Sequence, residues 1–252
     1  MPALPTLALP AAVQQLLRRY VKDVTKLYGS SLDGLVMYGS AAGGEFLPGR
    51  SNINLLMVLQ EPVFPKLQQY APLHRTWKKE QIVVPLFLTE AELRASCELF
   101  PLEYLEMQEQ HVVLVGRDPF LDLVIDTRLL SSQCEQELQG NMIRLRQRII
   151  EGGATAEAML MVLPYSLTAM LTGVRGVFRV LGRPRAASTD ALLDQLQEVL
   201  GVDPKPFNDV LGMKRGIVSP GPAEAPRLCE RYVAAMEALV REVKPRLKQV
   251  GS

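Results

Sequence analysis

The sequence predicts an α+β fold in two parts, a sheet with helices over residues 1–120 and a helical bundle over residues 121–252. Three observations predict it. Short, nearly unbroken apolar runs bounded by turn residues lie at 32–37, 53–59, 82–88 and 112–115, all in the first half; runs of that length suit buried strands. After residue 120 the apolar residues recur over long stretches at three- and four-residue spacing, the signature of helices with one buried face. Between the two regimes stands the turn Gly116-Arg117-Asp118-Pro119.

Residues 11–28 carry Val13, Leu16, Leu17, Tyr20, Val21, Val24 and Leu27 on one stripe, so a helix is expected, stopped by Gly29. The run 32–37 ends in Gly39-Ser40. A Gly-rich stretch, 41–50, contains Pro48-Gly49 and reads in part as a loop before the run 53–59. Pro85 inside 82–88 removes a ladder donor and points to an edge or irregular strand. Thr89 with Glu92 three residues on is a capping-box start for a helix to about residue 99. Residues 104–107 and 112–115 are read as a fourth strand region. Helices are then expected over 121–150, 155–181, 189–200, 205–213 and 225–247, separated by Glu151-Gly152-Gly153, Gly182-Arg183-Pro184 and Pro220-Gly221-Pro222.

The composition restricts function. With 48% hydrophobic and 22% charged residues, the chain is an ordinary globular protein. Lys plus Arg is 28 and Asp plus Glu is 27, for a net charge of +1. No basic surplus recommends nucleic acid as a partner. Cys97, Cys134 and Cys229 are far apart and odd in number, against a disulfide framework or a zinc site; a reducing, cytoplasmic location is expected. Pro2, Pro5 and Pro10 break up the N-terminus, and no signal peptide is read there. Residues 158–174 carry no charge but are short for a span and include Pro164, Tyr165, Ser166, Thr168 and Thr172; they are read as a buried helix, with no membrane partner expected.

The segment with the most chemistry is Gly39-Ser40, the spacer 41–51, and Asn52-Ile53-Asn54. Glycine lets backbone approach a phosphate closely, and Ser40 adds a hydroxyl. A helix starting just after them would add free N–H groups and a favourable dipole for an anion. Residues 52 and 54 are two apart on an expected strand, so they share a face.

This arrangement resembles the DNA polymerase β-type nucleotidyltransferase superfamily, whose signature is a hydrophobic strand ending in Gly-Ser, a spacer, and Asp-hydrophobic-Asp on the next strand. The order of parts resembles the small bacterial nucleotidyltransferases that modify aminoglycosides, as does Val112-Val113-Leu114-Val115-Gly116. The resemblance implies a nucleotidyltransferase-like mixed sheet followed by a helical bundle. It implies nucleotide binding at Gly39, Ser40 and Ser51, and catalytic positions at Asn52 and Asn54. In the active family two acids there hold Mg²⁺, with a third acid on a later strand. Here both are amides, each offering one neutral carbonyl oxygen. Mg²⁺ is a hard cation that favours anionic oxygen and sheds water reluctantly. The run 82–88 contains no acid, and Glu80, Glu103 and Glu106 only flank that region. No metal ligand is assigned, and Mg²⁺ is expected only if the protein is active.

Other residues are read as structural. His74 and His111 have no partner spacing for zinc or a triad. Arg144, Arg146 and Arg148 read as a solvated basic face. Arg175, Arg179 and Arg183 are four apart and, with Arg185, are expected to pair with acids of the bundle. Trp77 beside Lys78-Lys79 is too little for a base-stacking platform, and Met159, Met161 and Met170 read as core.

Three functions remain open on this reading. One is a degenerate nucleotidyltransferase with lost or weakened Mg²⁺-dependent transfer from an NTP to a hydroxyl acceptor. Another is an active enzyme holding metal through other acids, with Glu103 or Glu106 as candidates. The last is a regulatory module that binds a protein partner or a second copy of itself. The acceptor, small molecule or protein, is not identified.

Overall fold

The computed structural model describes residues 7–61 and 64–250, with Val250 as backbone alone. The chain divides into two compact units, Met1–Asp126 and Thr127–Ser252.

The first unit is built on a four-stranded mixed sheet in the order β3-β2-β1-β4: β1 (Leu32–Tyr38), β2 (Asn54–Leu59), β3 (Leu86–Leu88) and β4 (His111–Gly116). β1 pairs antiparallel with β2 and with β4, and β2 pairs parallel with β3. Alternation sorts the side chains onto two faces. Leu35, Met37, Leu55, Met57 and Leu59 join Leu17, Tyr20, Val24 and Tyr28 of α1 (Ala11–Tyr28), and Tyr70 and Trp77 of α2 (Phe64–Trp77). Val36, Leu56 and Val58 pack in a second core. Its other members include Leu93 and Cys97 of α3 (Glu90–Leu99), and Tyr104 and Met107 of α4 (Pro101–Glu109). The sheet is therefore covered on both faces, as its apolar runs required.

The capping box forms as its spacing predicts. Glu92 N–H donates to Thr89 Oγ1 at 3.0 Å, and Thr89 N–H donates to Glu92 Oε2 at 2.7 Å. Gly116 has φ +79°, and a Cβ there would run into the Asp33 carbonyl. Only glycine ends β4 in this way.

Three expectations need correction. Residues 104–107 are not strand; they lie inside α4, which Pro101 opens at a position where a missing N–H costs nothing. The strand at 82–88 shortens to β3, with Ile82 contributing one isolated bridge to Ile53. Residues 121–129 are not helical, because Phe120 and Leu123 are anchored in the α3–α4 core and Gln108 Nε2 donates to both their carbonyls, at 3.2 and 2.9 Å. One helix, α2, has no counterpart in the sequence reading. It buries only Tyr70 and Trp77 and contains Pro72, so its periodicity is faint.

The second unit consists of α5 (Leu130–Glu151), α6 (Ala156–Val180), α7 (Thr189–Leu200), α8 (Lys205–Arg215) and α9 (Ala225–Val250). Thr155 caps α6 and Ser188 caps α7 through their side-chain oxygens. α6 is long and apolar enough by composition to cross a membrane, a test that bundle core helices also pass. Its Leu163, Leu167, Met170, Val174 and Val177 are fully buried, and it packs on α5, α8 and α9. Phe207 and Tyr232 meet edge-to-face at 5.4 Å between α8 and α9.

Candidate functional site

β1 delivers the chain to Gly39 in an extended backbone, and the strand then breaks. Gly39 has φ +74°, and a Cβ on it would sit 3.2 Å from Asn54 Nδ2. Its N–H donates to the Gln110 carbonyl at 3.2 Å, and its own carbonyl accepts from Ala42 and Gly43 N–H at 2.9 Å each. The Ser40 carbonyl accepts from Glu45 N–H at 3.1 Å. A single 3₁₀ turn, Gly39–Ala41, succeeds β1, and a loop comes after it. No α-helix starts at Ser40, so the helix-dipole contribution to anion binding falls away.

Gly39 and Ser40, two of the five residues that the sequence singles out, form the turn at the end of β1. Asn54 opens β2 directly opposite Tyr38, and the two side chains share a sheet face. Asn52 lies exposed just outside the strand, because Ile53 makes only an isolated bridge to Ile82 and donates its N–H to the Gln81 carbonyl at 2.9 Å. Ser51 is 8% exposed. Its Oγ accepts from Leu47 N–H at 3.0 Å and its N–H donates to the Leu47 carbonyl at 2.8 Å, which ties the loop closed. Among the described residues, the Ser40 hydroxyl and the Asn52 and Asn54 amides make no side-chain hydrogen bond, so their donors and acceptors are available to a ligand.

Two phenols, Tyr38 and Tyr104, pack together on this side of the sheet. Burial raises the Tyr38 phenol above its usual range, with the nearby Tyr104 adding to the effect. Burial likewise raises Tyr104. Both rings stay protonated and uncharged at neutral pH. β3 is Leu86-Phe87-Leu88, with no acid. Glu103 and Glu106 are on α4 rather than on a strand, and Glu80 is in the short turn Lys78–Glu80. Among the described residues, no three His, Cys, Asp or Glu side chains are grouped to hold a metal ion. As a donor set for Mg²⁺, two amides and a hydroxyl do not fit: none carries the charge that offsets dehydration of the ion.

Other candidates have structural partners. His111 Nδ1 lies 3.1 and 2.9 Å from the Met107 and Gln108 carbonyls, and Nε2 lies 3.2 Å from Asp118 Oδ2, bracing the start of β4. His74 stacks with Tyr70, and Arg19 lies over the Trp77 ring at 5.7 Å. Arg146 pairs with Glu237 and Arg183 with Glu198. Sequence reasoning missed Tyr38, which faces Asn54 across the ladder, and Tyr104, which lies near Tyr38. Tyr38 could have been found as the last residue of the run before Gly39; its pairing with α4 is a long-range contact.

No family model matches this sequence, and no curated protein matches it. Solved structures do match. One is spectinomycin adenyltransferase AAD(9) from Enterococcus faecialis, determined with ATP and spectinomycin. The TM-score is 0.50 at 11% identity, and the match covers 88% of this chain and 99% of that one. Likeness at such low identity speaks for the fold alone. This chain has the α+β fold of a nucleotidyltransferase, with a mixed sheet first and helices after it.

Proposed function

We propose that this protein is a degenerate nucleotidyltransferase. It retains the scaffold, a nucleotidyltransferase-like domain followed by a helical domain, with the boundary near residue 126 rather than 120. It has lost, or retains only weakly, Mg²⁺-dependent transfer of a nucleotidyl group from an NTP to a hydroxyl acceptor. The observation that carries the reading is that amides stand at both positions 52 and 54, with Asn54 beside the Gly39-Ser40 turn. Metal-assisted transfer needs charge at that place to stabilise the transition state, and two neutral carbonyls do not hold the ion that supplies it. The absence of an acid from β3 adds to the argument.

The same residues favour a ligand held without metal. Ser40 and the two amides offer neutral donors, and Gly39 keeps the backbone open to a phosphate. Ser51 supports the loop that carries them. An NTP or a related phosphate compound is the ligand class.

A second reading has one observation in its favour. Glu106 is half-buried on α4, the helix whose Tyr104 and Met107 pack in the same core as Tyr38. If it or Glu103 served as a metal ligand, the protein would be an active transferase.

A nucleotide-release assay with ATP, GTP, CTP and UTP separates the two. Mg²⁺ or Mn²⁺ and a panel of hydroxyl acceptors, spectinomycin among them, complete it. The degenerate reading expects no turnover above the buffer rate, with ATP binding by calorimetry that Mg²⁺ barely changes. Turnover abolished by Glu106→Gln would establish the active reading instead.

A further inference from the structure

The second unit contains a polar cavity that the amide-bearing strand does not share. Asn141 of α5 and Ser166 of α6 are buried polar residues, 3% and 5% exposed. Asn141 Nδ2 donates to the Ser166 carbonyl at 2.8 Å, Ser166 Oγ donates to Asn141 Oδ1 at 3.0 Å, and Tyr232 OH donates to Ser166 Oγ at 3.2 Å. This network forms part of the wall of a cavity of about 250 Å³. Arg144, Arg148, Tyr165 and Val162 also line it, and no acid does.

The arginines give the cavity its character. They are four apart on α5, so their side chains are neighbours on one face, and two like charges one turn apart repel. Glu137 holds the Arg144 guanidinium at 3.0 Å. Among the described residues, the Arg148 guanidinium makes no hydrogen bond or ion pair, and the Tyr165 hydroxyl has no partner either. One N–H of the Asn141 amide remains unused. A guanidinium presents a planar fork of donors that matches an oxyanion. One uncommitted fork, a second shared with Glu137, a phenol and an amide hydrogen around one space suit a small oxyanion. The volume falls just below the ~300 Å³ at which pockets for drug-sized ligands begin, so the ligand is small.

We propose that the α5–α6 cavity binds a small phosphate monoester, with Arg148 as the main contact, Arg144 beside it and the Tyr165 hydroxyl as a further donor. The site is independent of the Gly39-Ser40 turn, and its ligand need not be a nucleotide.

The test is calorimetric titration of the full chain with inorganic phosphate and with glycerol 3-phosphate at constant ionic strength. Wild-type protein, Arg148→Gln, Arg148→Lys and Arg146→Gln are compared, with circular dichroism confirming that each is folded. The proposal expects saturable binding that falls by about tenfold or more in Arg148→Gln, since a charge-assisted contact is lost. Arg148→Lys should be intermediate, because the charge remains but the fork does not. Arg146→Gln should match wild type, because Arg146 is on the same helix but pairs with Glu237 outside the cavity. Absence of saturable binding at millimolar phosphate, wild-type affinity in the Arg148 variants, or an equal loss in Arg146→Gln would each overturn it.

Discussion

Asn54 stands directly across the β1–β2 ladder from Tyr38, and its amide nitrogen lies 3.2 Å from where a side chain on Gly39 would begin. Asn54, at the position where the superfamily that the motif resembles has an acid, is thus packed against the Gly39-Ser40 turn. Gly39 also has φ +74°, a conformation that costs an L side chain ~1–2 kcal/mol. Gly39→Ala should therefore lower unfolding free energy by about that amount or slightly more, read by urea denaturation, and weaken any phosphate ligand at the turn.

Tyr20 and Tyr70 share a buried hydrogen bond, hydroxyl to hydroxyl, at 2.8 Å between α1 and α2. Removing one partner strands the other in the core, at a cost of about 1–3 kcal/mol. Tyr70→Phe alone should be destabilising by that order. Tyr20→Phe combined with Tyr70→Phe should cost clearly less than the two single changes added together, a coupling that a double-mutant cycle measures.

The same region should contribute to alkaline unfolding. Burial, with a smaller contribution from Tyr70, raises the Tyr28 phenol from 10.0 to about 12. Burial raises Tyr70 from 10.0 to about 12 against a lowering hydrogen bond from Tyr20. Tyr20 is raised further. The unfolded chain releases these protons first, so the folded state binds more protons above pH 10. Their stabilising contribution is complete below that pH and is lost as pH rises toward 12. The urea midpoint should be insensitive to these groups at neutral pH and fall across that window, less steeply in Tyr28→Phe.

In the second unit, Ser166 joins Asn141 and Tyr232. Ser166→Ala leaves the Asn141 carbonyl oxygen without its donor and the Tyr232 hydroxyl without its acceptor, both in the interior. Thermal or urea unfolding should show a loss of about 1–3 kcal/mol.

Much of this was legible in the sequence where the pattern is strong. The apolar runs of β1 and β2, the Thr89–Glu92 box and the apolar stripe of α1 each state their structure locally. α2 was hidden because only Tyr70 and Trp77 turn inward and Pro72 interrupts the pattern. Residues 121–129 looked helical from their apolar content, but Leu123, with Phe120 just before it, belongs to the α3–α4 core while Leu121, Val124 and Leu129 are exposed, which no local period reveals. At the site, the turn at Gly39 and the placement of position 54 at the head of a strand accord with residue type and spacing. That Asn52 falls outside the strand and that Ser51 turns its oxygen to Leu47 depend on how the loop folds back.

On the degenerate reading proposed above, the amides at 52 and 54 separate this scaffold from metal-dependent chemistry. The direct measurement is calorimetric titration of ATP with and without Mg²⁺ on wild type and on the Asn52→Asp, Asn54→Asp double variant. The account predicts that Mg²⁺ leaves wild-type affinity nearly unchanged and tightens the double variant by about tenfold or more, as two carboxylates supply the anionic oxygen the ion requires. Tight, Mg²⁺-dependent ATP binding by the wild type, with no gain in the double variant, would contradict it.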